Sequence, residues 1–205
     1  MRSFSILVAG VGGQGILSAA RLIAQAAANA GRRVLVGDTF GASQREGSVL
    51  SVIRLGEDAR GPLVAPGDGD MLISFEPYEA LRRLHMIREG GVALVNTAPV
   101  VPVRATLEGG YPPLDEVWAK LDEKMSRVVR IDASTSANEL ARRYESRYDV
   151  TNMVILGAAC TIPAFPIEED DLLATMKERF SARSLPMNQE AFAAGKTLAE
   201  EGGAA

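Results

Sequence analysis

Gly10, Gly12 and Gly15, in the run Gly10-Val11-Gly12-Gly13-Gln14-Gly15, stand at the G-x-G-x-x-G spacing of a dinucleotide-phosphate turn. An apolar run, Phe4 to Ala9, leads into it, and Ile16, Ala20, Ile23 and Ala27 follow at helical steps of four, three and four. In such a turn the first glycine permits the bend and the second lets backbone approach a pyrophosphate. The third lets helix and strand pack closely, and the helix N-terminus favours negative charge. Asp38 ends the next apolar run, residues 33–38, where an acid can accept ribose hydroxyls. The residues alone leave three readings open: an NAD(P)-binding oxidoreductase, a protein gripping some other phosphate-bearing ligand, and a helix-start turn that binds nothing. Gln14 sets a long amide in the turn, suited to gripping polar groups or a neighbouring loop.

A second glycine-flanked stretch, Gly41-Ala42-Ser43-Gln44-Arg45-Glu46-Gly47-Ser48, follows that run at once. It belongs at the sheet edge that carries the first turn, where ligands of α/β proteins collect. Gly41 and Gly47 bracket Gln44 and Arg45, so an arginine fork can be aimed there at phosphate or carboxylate. The plainer alternative ties Arg45 to the protein's own carbonyls or to Glu46.

Groups for acid–base or nucleophilic chemistry are scarce, and we assign no catalytic and no metal-binding residue. The chain has one histidine, His85, at a helix end, and one cysteine, Cys160, in an apolar run. A lone cysteine forms no internal disulfide and cannot hold an iron–sulfur cluster, which usually takes four thiolates. Glu168, Glu169, Asp170 and Asp171 follow Pro166, where carboxylates favour a helix start rather than a metal.

The 205 residues, 47% hydrophobic and 23% charged, fit one substantial domain spanning 1–205. A formal charge of −4 without a basic block gives no reason to expect nucleic acid. No apolar stretch is long enough for a membrane span, and the N-terminal apolar run passes into glycine without a cleavage pattern, so a cytoplasmic protein is expected.

Strands are expected at 4–9, 33–38, 47–56, 70–75, 91–96 and 127–132. Helices are expected at 16–30, 76–89, around 114–124, 136–146, 151–162, 166–180 and 188–201. No helix separates the second strand from the third, which implies an antiparallel pairing inside an otherwise parallel sheet. The expected fold is a three-layer α/β/α domain with a Rossmann-like start, a mixed, mostly parallel sheet and a helical C-terminal third.

Taken together, "GVGGQG" at 10–15, "GASQREGSV" at 41–49, "TNMVILGA" at 151–158 and "NQEAFAAG" at 188–195 resemble the gamma subunit or domain of the 2-oxoacid:ferredoxin oxidoreductases. The similarity looks closest to the indolepyruvate type and extends along nearly the whole chain. Glu46 departs from a pattern that often reads Arg-Gly-Gly, placing a negative charge beside Arg45. The resemblance implies a non-catalytic subunit, inactive alone, in a complex that converts a 2-oxoacid to an acyl-CoA and reduces ferredoxin. Thiamine diphosphate and iron–sulfur clusters are then held by partner subunits, and this chain lies on the coenzyme A side. Under that implication Gly10, Gly12, Gly13, Gln14, Gly15, Gly41, Gln44, Arg45, Gly47 and Ser48 face coenzyme A or brace the partners. A chain isolated from them can pair with itself through the same surface.

Overall fold

A computed structural model of the protein describes residues 3–40, 47–100 and 110–202. Its centre is a six-stranded sheet in the order β2-β3-β1-β4-β5-β6. The strands are β1 (Phe4–Val11), β2 (Val34–Phe40), β3 (Ser48–Leu55), β4 (Gly69–Ser74), β5 (Ile87–Asn96) and β6 (Arg127–Ile131). β3 pairs antiparallel with both β1 and β2, whereas β1, β4, β5 and β6 are successively parallel. The expected mixed sheet is therefore present, with its one reversed strand seated between β1 and β2.

The helices are α1 (Ile16–Asn29), α2 (Pro77–Arg83), α3 (Leu114–Lys124), α4 (Ala133–Arg143), α5 (Thr151–Cys160), α6 (Glu169–Arg179) and α7 (Leu185–Gly202). One face of the sheet packs Ile6, Val8, Ile53 and Ile73 against α1 and α4 to α7. The other packs Leu7, Leu50, Val52 and Leu72 against α2 and α3. The alternation along β3 divides as its sequence requires: Leu50 and Val52 go to one core, Ile53 and Leu55 to the other. The crossover through α1 steps toward one sheet edge and that through α2 toward the other, so a common right hand puts them on opposite faces.

Several boundaries differ from the sequence expectation: β1 runs on to Val11, α6 opens at Glu169 and α7 at Leu185, and the changes at α2 and α4 have evident causes. The helix expected over 76–89 ends at Arg83; a single 3-10 turn, Leu84–Met86, follows, and β5 opens at Ile87. The register shifts between Gly69 and Met71, and Gly90 at φ 69° lets the strand continue past its own irregularity. α4 begins at Ala133 rather than Ser136, because Asp132 accepts the Thr135 N–H at 3.0 Å and caps it.

α5 is buried almost all round, as its composition requires, and α7 covers it at a crossing of main chain on main chain. A Cβ on Gly157 would lie 1.8 Å from the Phe192 carbonyl oxygen, and one on Gly195 would lie 1.8 Å from the Val154 carbonyl oxygen. We expect Gly195→Ala to cost about 3 kcal/mol, the upper end of overpacking penalties, because the obstacle is backbone. Urea unfolding measures this, and a loss under about 1 kcal/mol would show that the two helices part readily.

Candidate functional site

The crevice lies where β1 and β4, parallel neighbours, send their crossovers in opposite directions. Four segments meet there: the Gly12–Gly15 turn, the Phe75-Glu76 link into α2, the Asn96-Thr97 end of β5, and the start of β3 at Gly47-Ser48. β3 enters from this edge because it runs antiparallel, so Val11 pairs with Ser48. The Gly12 N–H donates to the Gly47 carbonyl at 2.9 Å. The first turn and the end of the second glycine-flanked stretch are thus joined by backbone. Gly41, Gln44 and Arg45 lie outside the described residues.

The glycines have separate tasks. Gly10 lies within β1, and a Cβ there would meet Gln14 Oε1 at 2.8 Å and Phe75 Cβ at 2.9 Å. Gly13 and Gly15 hold φ of 99° and 83°, a region disfavoured for other residues. A Cβ on Gly13 would meet nothing within 4 Å, so the turn is open there. Gly15 is the N-cap of α1 and offers no side-chain acceptor to the amides of the first turn.

Gln14, a candidate ligand residue, holds the turn instead. Its Oε1 accepts the Val11 N–H at 2.7 Å, and its Nε2 donates to the Phe75 carbonyl at 3.3 Å. The same carbonyl accepts from Asn96 Nδ2 at 3.1 Å. Fully buried Asn96 also donates to Ser134 Oγ at 2.9 Å and accepts the Ala133 N–H at 3.0 Å. Two side-chain amides therefore lace together the carboxyl ends of β1, β4, β5 and β6. Ser48 is likewise engaged: its Oγ donates to Glu79 Oε2 at 2.5 Å and accepts from Arg83 Nη2 at 2.5 Å.

Glu76 and Glu79, both buried, were not singled out by the sequence reading. Glu76 caps α2 by accepting the Glu79 N–H at 2.8 Å, and also accepts the Tyr111 hydroxyl and, at 3.4 Å, the Val100 N–H. One carboxylate thus anchors both flanks of segment 101–109, which lies outside the described residues. Burial pushes the Glu76 carboxyl above its ordinary value, its hydrogen bonds opposing the shift. The cue in the sequence is Glu76-Pro77-Tyr78-Glu79, an acid ahead of an N1 proline with a second acid at N3.

Asp38, the acid expected on a ribose, accepts Ser51 Oγ at 2.6 Å. β3 separates its strand from β1, so Asp38 stands two strand spacings away, roughly 10 Å. It also pairs through Ser51 with Val8, short of the end of β1. Among the described residues, the acid that a Rossmann NAD site would use is therefore not brought to the glycine turn. The Cys160 thiol is half-buried, and desolvation pushes it up to about 12, far from a nucleophile's range. His85 sits exposed in the 3-10 turn. Among the described residues no cluster of three metal-ligating side chains occurs, and no helix is long and apolar enough to cross a membrane.

The fold is an α/β domain whose glycine turn is open at Gly13 and stands beside an antiparallel strand. The family model described as pyruvate ferredoxin/flavodoxin oxidoreductase matches residues 5–198, and the chain belongs to this family. Over 203 residues, 98% of both chains, it is 36% identical to indolepyruvate oxidoreductase subunit IorB of Thermococcus kodakarensis. The common gamma subunit of the pyruvate/ketoisovalerate oxidoreductases of Thermococcus litoralis is 25% identical over 184 residues, 89% of each chain. Among solved structures, a 2-oxoglutarate:ferredoxin oxidoreductase from Magnetococcus marinus, with 2-oxoglutarate, coenzyme A and succinyl-CoA bound, superimposes with a TM-score of 0.71 at 29% identity. The match covers 98% of this chain but 32% of that longer one. Pyruvate oxidoreductase subunit PORC of Thermotoga maritima, at 20% identity and a TM-score of 0.68, shares the fold, with 97% of each chain covered. The resemblance carried by the four sequence motifs therefore holds over nearly the whole chain.

Two measurements test the lacing. Asn96→Ala leaves the Ala133 N–H without its buried acceptor, and we expect a loss of about 1–3 kcal/mol in chemical denaturation. Glu76, with its folded value raised above the ordinary 4.5, contributes stability that is full below that value and lost as pH rises through the folded one. The stability of wild type relative to Glu76→Gln should therefore fall as pH is raised from about 4.5, and a difference independent of pH would refute the assignment.

Proposed function

We propose that this chain is a gamma-type subunit of a 2-oxoacid:ferredoxin oxidoreductase of the indolepyruvate type, lying on the coenzyme A side of the shared site. The observation that carries this reading is a division of labour at the crevice. Gln14, Ser48, Asn96, Glu76 and Glu79 are engaged in holding the edge together. The first-turn amides of α1, uncapped by any side chain, and the open Gly13 remain for a ligand. Main-chain donors at a helix N-terminus suit phosphate oxygens, which supports a phosphate-bearing cofactor at this turn.

Coenzyme A, when bound, supplies the thiol that takes the acyl group. Gly12, Gly13 and Gly15 would present backbone to its phosphates, with Gly41, Gln44, Arg45 and Gly47 contributed by the neighbouring stretch. Gln14 and Ser48 act as positioning residues: one holds the bend, the other the strand entering beside it. Gly10 keeps the bend close to β4. The decarboxylation and electron transfer belong to partner chains carrying thiamine diphosphate and iron–sulfur clusters, since one cysteine does not furnish a cluster. We place the assembly in the cytoplasm and ferredoxin on the partner side. The NAD(P) alternative lacks its ribose-binding acid, for the reason given by Asp38.

Anaerobic purification of the tagged chain from its own host tests the subunit reading. Recovery with a thiamine-dependent, cluster-bearing chain is expected, and recovery alone under gentle conditions would overturn it. In the assembled enzyme, Arg45→Ala should raise the KM for coenzyme A by the equivalent of about 1.5–3 kcal/mol, leaving the KM for the 2-oxoacid unchanged. An unchanged coenzyme A KM in an intact complex would remove Arg45 from the ligand's path.

A further inference from the structure

β2 is an outer strand of the sheet, paired with β3 on one side and with no strand on the other among the described residues. Its ladder fixes which peptide groups are left over. The Gly56 N–H donates to the Arg33 carbonyl at 3.0 Å, so alternation turns the main chain of Leu35, Gly37 and Thr39 toward β3. The far side of β3 agrees. The Gly12 N–H meets the Gly47 carbonyl, so Val49, Ser51 and Ile53 bond to β1, leaving Leu50, Val52 and Arg54 for β2. The N–H and C=O groups of Val34, Val36 and Asp38 therefore point outward.

Edge strands are commonly blunted by proline, lysine or a bulge. Residues 34–40 contain no proline or lysine, and their register with β3 is unbroken. Val36 is 39% exposed, and Asp38 and Thr39 are exposed beside it. On the α1 face the segment reads Arg32, Val34, Val36, Asp38: a cation, two valines, an anion. Val34 packs against the core on that face, Asp38 bonds there to Ser51, and Arg32 Nη1 donates there to the Pro166 carbonyl. Laid antiparallel on a second copy, this series meets itself with opposite charges at both ends. With Leu35 on the two-fold axis, Val34 pairs with Val36 of the second copy, and Arg32 lies opposite its Asp38. The valines and Asp38 then meet the copy with outward-facing main chain. Arg32, whose N–H is given to the Ala27 carbonyl, contributes its own carbonyl to the ladder. Asp38 has a second carboxylate oxygen besides the one on Ser51, and the Arg32 guanidinium has further donors besides the one on Pro166.

We propose that the β2 edge joins two copies of this chain about a two-fold axis, one sheet running through both and Arg32–Asp38 ion pairs fixing the register. β3 and β1 separate this edge from the helix side of the glycine turn, and the inference does not depend on the function proposed above.

Sedimentation equilibrium of the full chain is the test. Wild type should be a dimer that dissociates on dilution and in high salt. Arg32→Asp and Asp38→Arg each set like charges opposite one another, and each should weaken dimerisation by about tenfold or more. Mixed in equal amounts, the two single variants should pair with each other, because every cross-strand contact then joins opposite charges. A chain carrying both exchanges should pair with itself. Val36→Pro removes an outward N–H and no bond to β3, so it should abolish the dimer while cooperative unfolding is retained. A wild-type chain that is monomeric at millimolar concentration overturns the proposal. So does a dimer that Val36→Pro and the charge reversals leave intact, which places the joint elsewhere. Single variants that each unfold cooperatively yet stay monomeric when mixed overturn the register and the self-pairing with it.

Discussion

The antiparallel pairing of β3 between β1 and β2 is the constraint on which the rest of the molecule depends. In a Rossmann unit the second strand lies against the first, and the acid at its end reaches the ribose of a ligand on the glycine turn. Here a reversed strand occupies that place, so Asp38 is carried away from the crevice and engages Ser51. The same reversal makes β3 enter at the carboxyl edge, which brings Gly47 onto the Gly12 amide. One topological choice thus removes the usual nucleotide acid and supplies a second backbone segment to the turn.

A sheet edge where four loops converge needs its polar groups matched, because an unpaired buried donor or acceptor costs about 1–3 kcal/mol. Side chains of the same chain meet much of this need. The Phe75 peptide donates to Ala9 and accepts from both Gln14 and Asn96, tying three strands through one residue's backbone. Glu76 does the same for the cap of α2, Val100 and Tyr111. What then faces outward at the turn is main chain, and main-chain donors at a helix N-terminus suit an anion by direction and dipole whatever chemistry the rest of it carries. A module of this kind suits a family whose members act on different 2-oxoacids.

All six strands were legible, since each is a short β-branched or apolar run with glycine or a charge at its end. The reversal of β3 was legible too, because "TFGASQRE" leaves no room for a helix between two strands. Helix periodicity over 76–89 overran into β5 because Leu81, Leu84 and Ile87 keep a helical spacing although the chain has already turned into the sheet. The turn itself could be read from glycine spacing, which is local. The lacing could not: Gln14 and Phe75 are 61 residues apart, Asn96 and Ala133 37, and no spacing rule joins them. Glutamine in a glycine turn looks ligand-facing until its two ends are found on the protein's own backbone.

Gly157 and Gly195 meet main chain to main chain, so only α7 can cover that side of α5, and no rearrangement of side chains elsewhere replaces it. The order of synthesis runs against this requirement. A helix buried on nearly every side leaves the ribosome before the segment that buries it has been made. For that interval the nascent chain carries its most adhesive surface uncovered, and a chaperone that recognises apolar helices would find its binding site at residues 151–160.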